Sequence, residues 1–132
     1  MDLIKLMREC HQTARSKGWW RDAELPGASA AEVHLAPLDQ AKVHKIVPEK
    51  LLLMHSEISE AVEEYRSGNN LGTISYGPEG KPLGYLTELA DVLIRQLDLI
   101  KAQGLEEQFI RALAEKMEFN KTREFRHGNK VA

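Results

Sequence analysis

The sequence is poor in several of the residues from which sites are commonly built. A single cysteine, Cys10, excludes an internal disulfide and a cysteine-based zinc site. It falls in an apolar repeat near the start of the chain, where a small buried or half-buried hydrophobe is expected. Long apolar runs are also missing: Leu51–Met54 is the longest obvious one, against about 20 residues needed to cross a bilayer. The start, Met1-Asp2-Leu3-Ile4-Lys5, carries charges throughout and does not read as a secretory signal. A cytoplasmic protein without membrane association is the expectation. Neither sign of charge dominates: 18 Lys+Arg face 20 Asp+Glu, for a formal net charge of −2. That balance argues against a protein that coats nucleic acid. The five histidines show no H-x-x-x-H or H-E-x-x-H spacing, and there is no G-x-x-x-x-G-K-[ST] or strand-linked G-x-G-x-x-G, so a glycine-rich loop does not hold a phosphate here.

What remains is an ordinary globular composition, 42% hydrophobic and 29% charged over 132 residues, enough for one domain spanning 1–132 with a real core. Four segments carry helical periodicity. The first, about 2–17, places Leu3, Met7, Cys10 and Ala14 on one face and ends at Gly18. Residues 21–47 are broken by Pro26, Gly27 and Pro37, with room for a short helix within Leu38–Ile46. The second helix is expected over about 48–66, with Pro48 in its first turn and Gly68 as its stop. Five Gly and two Pro within residues 67–84 predict a loop, in which Thr73–Tyr76 and Lys81–Leu83 flank a Gly-Pro-Glu-Gly turn as a short hairpin. The third helix spans about 85–103 and the fourth about 105–125. The fold class is therefore all-α, a four-helix bundle with a short Gly/Pro-rich hairpin-like insertion between helices two and three.

Two acidic pairs carry the chemistry. Glu57-x-x-Glu60 lies on helix two and Glu88-x-x-Asp91 on helix three, each pair about one turn apart on one face. On a helical wheel with Glu57 at zero, Glu60 falls near −60°, while Met54, Ile58, Ala61, Val62 and Tyr65 cluster at about +40° to +140°. The pair thus borders the buried stripe. Helix three is apolar over about 220° of arc, and Glu88, Asp91, Arg95 and Asp98 share the remainder. Such a helix needs cover on most sides, which oligomerisation supplies. Four carboxylates converging between two helices repel one another unless a cation or protons intervene. Oxygen-only donors favour Mg²⁺, with Mn²⁺ as substitute, and Mg²⁺ commonly also holds substrate phosphates. Surface ion pairing is the plainer explanation for any one such pair. On helix four, Phe109, Leu113, Lys116, Asn120 and Arg123 run along one face that turns from apolar to cationic. Lys116 and Arg123 suit phosphate oxygens and Asn120 suits a base, sugar or phosphate; cations complementing the helix macrodipole are the alternative. Trp19 and Trp20, at a helix end, read first as core packing; since they point in different directions, at most one can stack a base, and Trp20 is the candidate.

These motifs resemble those of the MazG-like, all-α nucleoside triphosphate pyrophosphohydrolase superfamily. The similar stretches are Lys50–Ala61 with its E-x-x-E, Gly80-Lys81-Pro82-Leu83-Gly84, Glu88-Leu89-Ala90-Asp91-Val92, Lys116-x-x-x-Asn120-x-x-Arg123, and His127-Gly128-x-Lys130. Gly18-Trp19-Trp20 is similar to the Gly-aromatic end of the first helix in that superfamily. The resemblance implies a Mg²⁺-dependent enzyme that cleaves a (d)NTP between the α- and β-phosphates, giving a nucleoside monophosphate and pyrophosphate. It implies Glu57, Glu60, Glu88 and Asp91 as metal ligands, with Glu57 or Glu60 also activating the water. Lys116, Asn120 and Arg123 would face the substrate, and the protein would be a homodimer or homotetramer. Two alternatives stand beside it: the same chemistry on dUTP or a phosphoribosyl-ATP-like intermediate, or a non-catalytic helical interaction module. A di-iron bundle is disfavoured for want of paired Glu-x-x-His motifs.

Overall fold

A computed structural model describes residues 2–26 and 36–125. Four α-helices dominate: α1 (Leu3–Ser16), α2 (Gln40–Arg66), α3 (Tyr85–Ala102) and α4 (Glu106–Thr122). Two two-residue strands, β1 (Ser75–Tyr76) and β2 (Pro82–Leu83), join α2 to α3 as an antiparallel hairpin, with Ser75 opposite Leu83 and Tyr76 opposite Pro82. The all-α class holds, as does the hairpin in shortened form. No helix among the described residues is long and apolar enough to cross a membrane. The basic segment His127-Gly128-x-Lys130 lies outside the described residues.

α1 begins where Asp2 Oδ1 accepts from the Ile4 and Lys5 amides at 2.9 and 3.4 Å, satisfying donors that the first turn leaves open. It ends in a Schellman motif: the Gly18 amide donates to Arg15 O and the Trp19 amide to Ala14 O, with Gly18 at φ +82°. This reversal carries Trp20 back under the helix, into a core with Ala14, Ala23, Leu38, Val43, Leu99 and Ala102. A second cluster joins Met7, Leu97 and Ile100 to Phe109 and Ile110 from the start of α4.

α2 corrects the expectation at Pro48. The helix starts eight residues earlier, where Asp39 Oδ1 accepts from the Ala41 and Lys42 amides, and runs through Pro48 without ending. An interior proline costs about 3 kcal/mol. Burial of Val43 and packing of Ile46, Val47 and Met54 against the Trp20 core offset it, because these side chains meet α3 only if the helix is continuous.

α2 and α3 run antiparallel. Gln40 Nε2 reaches Ala102 O at 2.9 Å at one end, while Glu57 meets Arg95 further along. Asp98, 5% exposed, ties α3 to the first helix: His11 Nδ1 lies 2.7 Å from Oδ1, and Trp20 Nε1 donates to Oδ1 and Oδ2 at 2.9 and 3.1 Å. The third acid on α3 thus has a structural purpose. α4 buries no residue completely, and a 2.6 Å ion pair from Lys101 to Glu106 fixes its start.

Candidate metal centre

The acidic residues of α2 and α3 come together across the antiparallel pair. Glu57, Glu88 and Asp91 each offer an oxygen, and these ligand atoms all lie within 4.8 Å of one another. Helix phase brings Glu88 and Asp91 to the α2 side, and the hairpin sets where α3 begins. Gly84, at φ +130°, leads into α3, and a Cβ there would stand 2.9 Å from Thr73 O. Only glycine fits that junction.

The electrostatics record the crowding. The Glu88 carboxyl is raised above its usual range by burial first, then by Glu57 as hydrogen-bonding and like-charged neighbour, and by Asp91 and Glu60. Asp91 is raised by burial and by Glu57, against the lowering influence of Arg95 and Lys81. Arg95 Nε donates to Glu57 Oε1 at 2.8 Å. The two side chains are 22% and 14% exposed, so the pair sits at the rim and not on the open surface. Three carboxylates within ligand distance, two of them raised by burial and by their like-charged neighbours, suit a hard divalent cation that takes oxygen donors.

The structure separates the expected site residues. Glu57, Glu88 and Asp91 converge. Glu60 is exposed and outside their group, yet close enough for its charge to act on Glu88. Lys116, Asn120 and Arg123 are exposed on α4, and among the described residues no hydrogen bond or ion pair joins them to the acids. Lys116 and Arg123 flank Phe119, at 5.4 and 5.9 Å from its ring centre. Within one chain this stripe is not part of the acidic site, because α4 packs only through its first turns.

Trp20 is a correction. Its side chain is 0% exposed, its indole N–H is committed to Asp98, and it has no open face for a base. The sequence offered two adjacent tryptophans, and the Schellman reversal selects Trp20 for the core. Trp19 is the one left outside, 54% exposed, with the Arg95 guanidinium 5.2 Å from its ring centre. Arg95 and Lys81 escaped assignment from sequence, although Arg95 follows Glu88 and Asp91 at spacings of seven and four; opposite charge on an acidic helix face was the available signal.

The chain matches no protein-family model, no curated protein and no solved structure.

Proposed function

We propose that this chain is a Mg²⁺-dependent nucleotide pyrophosphohydrolase of the MazG-like all-α kind, cleaving a (d)NTP to a nucleoside monophosphate and pyrophosphate. The observation that carries the reading is the meeting of Glu57, Glu88 and Asp91 oxygens from two helices within 4.8 Å. These residues would hold the ion, with Mn²⁺ as substitute. When bound, it supplies charge neutralisation at the phosphate oxygens and a lowered pKa for water. Glu60, outside the ligand group but within electrostatic reach of it, is the carboxylate available to orient and deprotonate the attacking water. Cys10 is not needed as a nucleophile; burial and the nearby Asp98 and Glu9 charges raise its thiol, the reverse of activation.

The protein acts as a homodimer or homotetramer in the cytoplasm. Ile58, Val62, Tyr65, Leu86, Leu89 and Leu93, on the parts of α2 and α3 flanking the acids, are between 39% and 65% exposed. An apolar surface of this kind marks an interface. Leu113 and Met117 on α4 are likewise exposed, so a second copy can cover α4 and bring Lys116, Asn120 and Arg123 towards a neighbouring acidic site.

The test is incubation of the purified protein with Mg²⁺ and each of the eight common (d)NTPs, with dUTP and phosphoribosyl-ATP alongside. Monophosphate and pyrophosphate are expected from at least one. Diphosphate and phosphate, or no turnover, would overturn the proposal.

A further inference from the structure

We propose that Arg95 binds substrate phosphate at the edge of the acidic site, with Trp19 and Glu57 holding its guanidinium in place. The inference deepens the reading above and rests on it. Glu88, Asp91 and Arg95 form one line on α3, with Arg95 about 6 Å beyond Asp91 along the helix axis. A triphosphate approaching three carboxylates meets repulsion that a bound divalent ion only partly cancels, so a fixed cation beside the ion is the missing element.

Two cations act on Asp91, Arg95 and Lys81. Lys81 is exposed in the hairpin turn, on a flexible stem. Arg95 is held at two points: Nε donates to Glu57 Oε1 at 2.8 Å, and the guanidinium carbon lies 5.2 Å from the Trp19 ring centre. The hydrogen bond uses Nε, and it is the only one from the Arg95 side chain among the described residues. The two Nη groups are left as a planar fork suited to phosphate oxygens. The Arg95 side chain is 22% exposed, and besides meeting Glu57 it borders a groove between α1 and α3 lined also by Glu9, Cys10, Trp19 and Asp98. Glu57 therefore has two tasks, as ion ligand and as anchor of the arginine, and Trp19 supplies a stacking platform that costs little entropy to hold still.

An arginine that merely neutralised Glu57 would leave substrate affinity untouched once the ion is bound, which makes the two roles separable. The experiment compares wild type, Arg95→Lys and Arg95→Met in the full chain, using calorimetric titration of Mg²⁺ alone and of a Mg²⁺–α,β-methylene-dNTP, with KM and kcat for the preferred substrate. Circular dichroism checks the fold, and the charge-conserving lysine variant carries the test if the methionine variant unfolds. The expected result is that affinity for the analogue falls ~10-fold or more, with KM rising in parallel, because a charge-assisted bidentate contact is lost. Arg95→Lys loses most of this despite keeping its charge, and Mg²⁺ alone binds both variants at least as tightly as wild type. Analogue affinity within twofold of wild type would overturn the role of Arg95 while leaving the hydrolase reading intact. Equal losses of Mg²⁺ and analogue binding would also overturn it, since they indicate a structural role. If wild type binds neither Mg²⁺ nor the analogue, both readings fall.

Discussion

Trp20 Nε1 donates to Asp98 across 78 residues of sequence, at 2.9 Å and with both partners buried. With His11 on the same carboxylate, this bond fastens the turn after α1 to the C-terminal part of the most apolar helix. A buried carboxylate is tolerated only when its lone pairs are used. Replacing Asp98 by Leu removes the acceptor and strands two donors, so destabilisation of about 2–4 kcal/mol is expected. Urea denaturation followed by tryptophan fluorescence would measure it. Trp20→Phe loses the donor and leaves a void where the larger indole packed in the core, with an expected cost of about 2–3 kcal/mol.

The acidic centre predicts how stability depends on pH. Glu88 and Asp91 are both raised in the folded chain, so the fold binds their protons more tightly than the unfolded chain does. Without a divalent ion, stability falls as pH climbs from the ordinary carboxylate range through the raised folded values. Added Mg²⁺ or Mn²⁺ competes with those protons. The ion-induced rise in Tm is therefore expected to be larger at pH 7.5 than at pH 5, and thermal melts across that interval check the order.

Glu88→Gln removes one of the mutually repelling charges. Its expected outcome is a Tm about 2–4 °C higher than wild type in chelator, together with loss of the Mg²⁺-induced shift and of turnover. A variant that is more stable yet insensitive to the ion separates a charge held for chemistry from one held for folding.

Val62 lies about 140° around α2 from Glu57 and is 48% exposed, within the apolar surface assigned to a second copy. Val62→Asp places a charge there without touching the acids. Analytical ultracentrifugation is expected to show the wild-type dimer or tetramer reduced to monomer; an unchanged sedimentation coefficient would count against that face as the interface.

At the junction of the hairpin with α3, Gly84→Ala forces a Cβ against Thr73 O at a φ of +130°. The expected cost is about 1–3 kcal/mol of local strain, and because α3 begins there, the misplacement reaches Glu88 and Asp91. A weaker calorimetric Mg²⁺ affinity in a variant that remains helical would register it.

Apolar spacing alone predicts the four helices, since it reports which stripe of each must leave water, and it sets two acidic pairs at the border of such stripes. The Gly-Pro-Glu-Gly turn and the glycine stops were legible for the same reason: they are local backbone chemistry. Tertiary structure decided the rest. Pro48 could be placed inside α2 only by knowing that Val43, Ile46 and Val47 pack against the Trp20 core, a gain that no local propensity contains. The choice between Trp19 and Trp20 depended on where a chain reversal points, and the purpose of Asp98 on a histidine 87 residues away. Three of the four expected acids meet because α2 and α3 lie antiparallel at one particular stagger. Lys116, Asn120 and Arg123 stay apart from them because α4 packs on the core only through its first turns. Periodicity gives the face of a helix; which other face it meets, and at what height, is set by packing between segments distant in sequence.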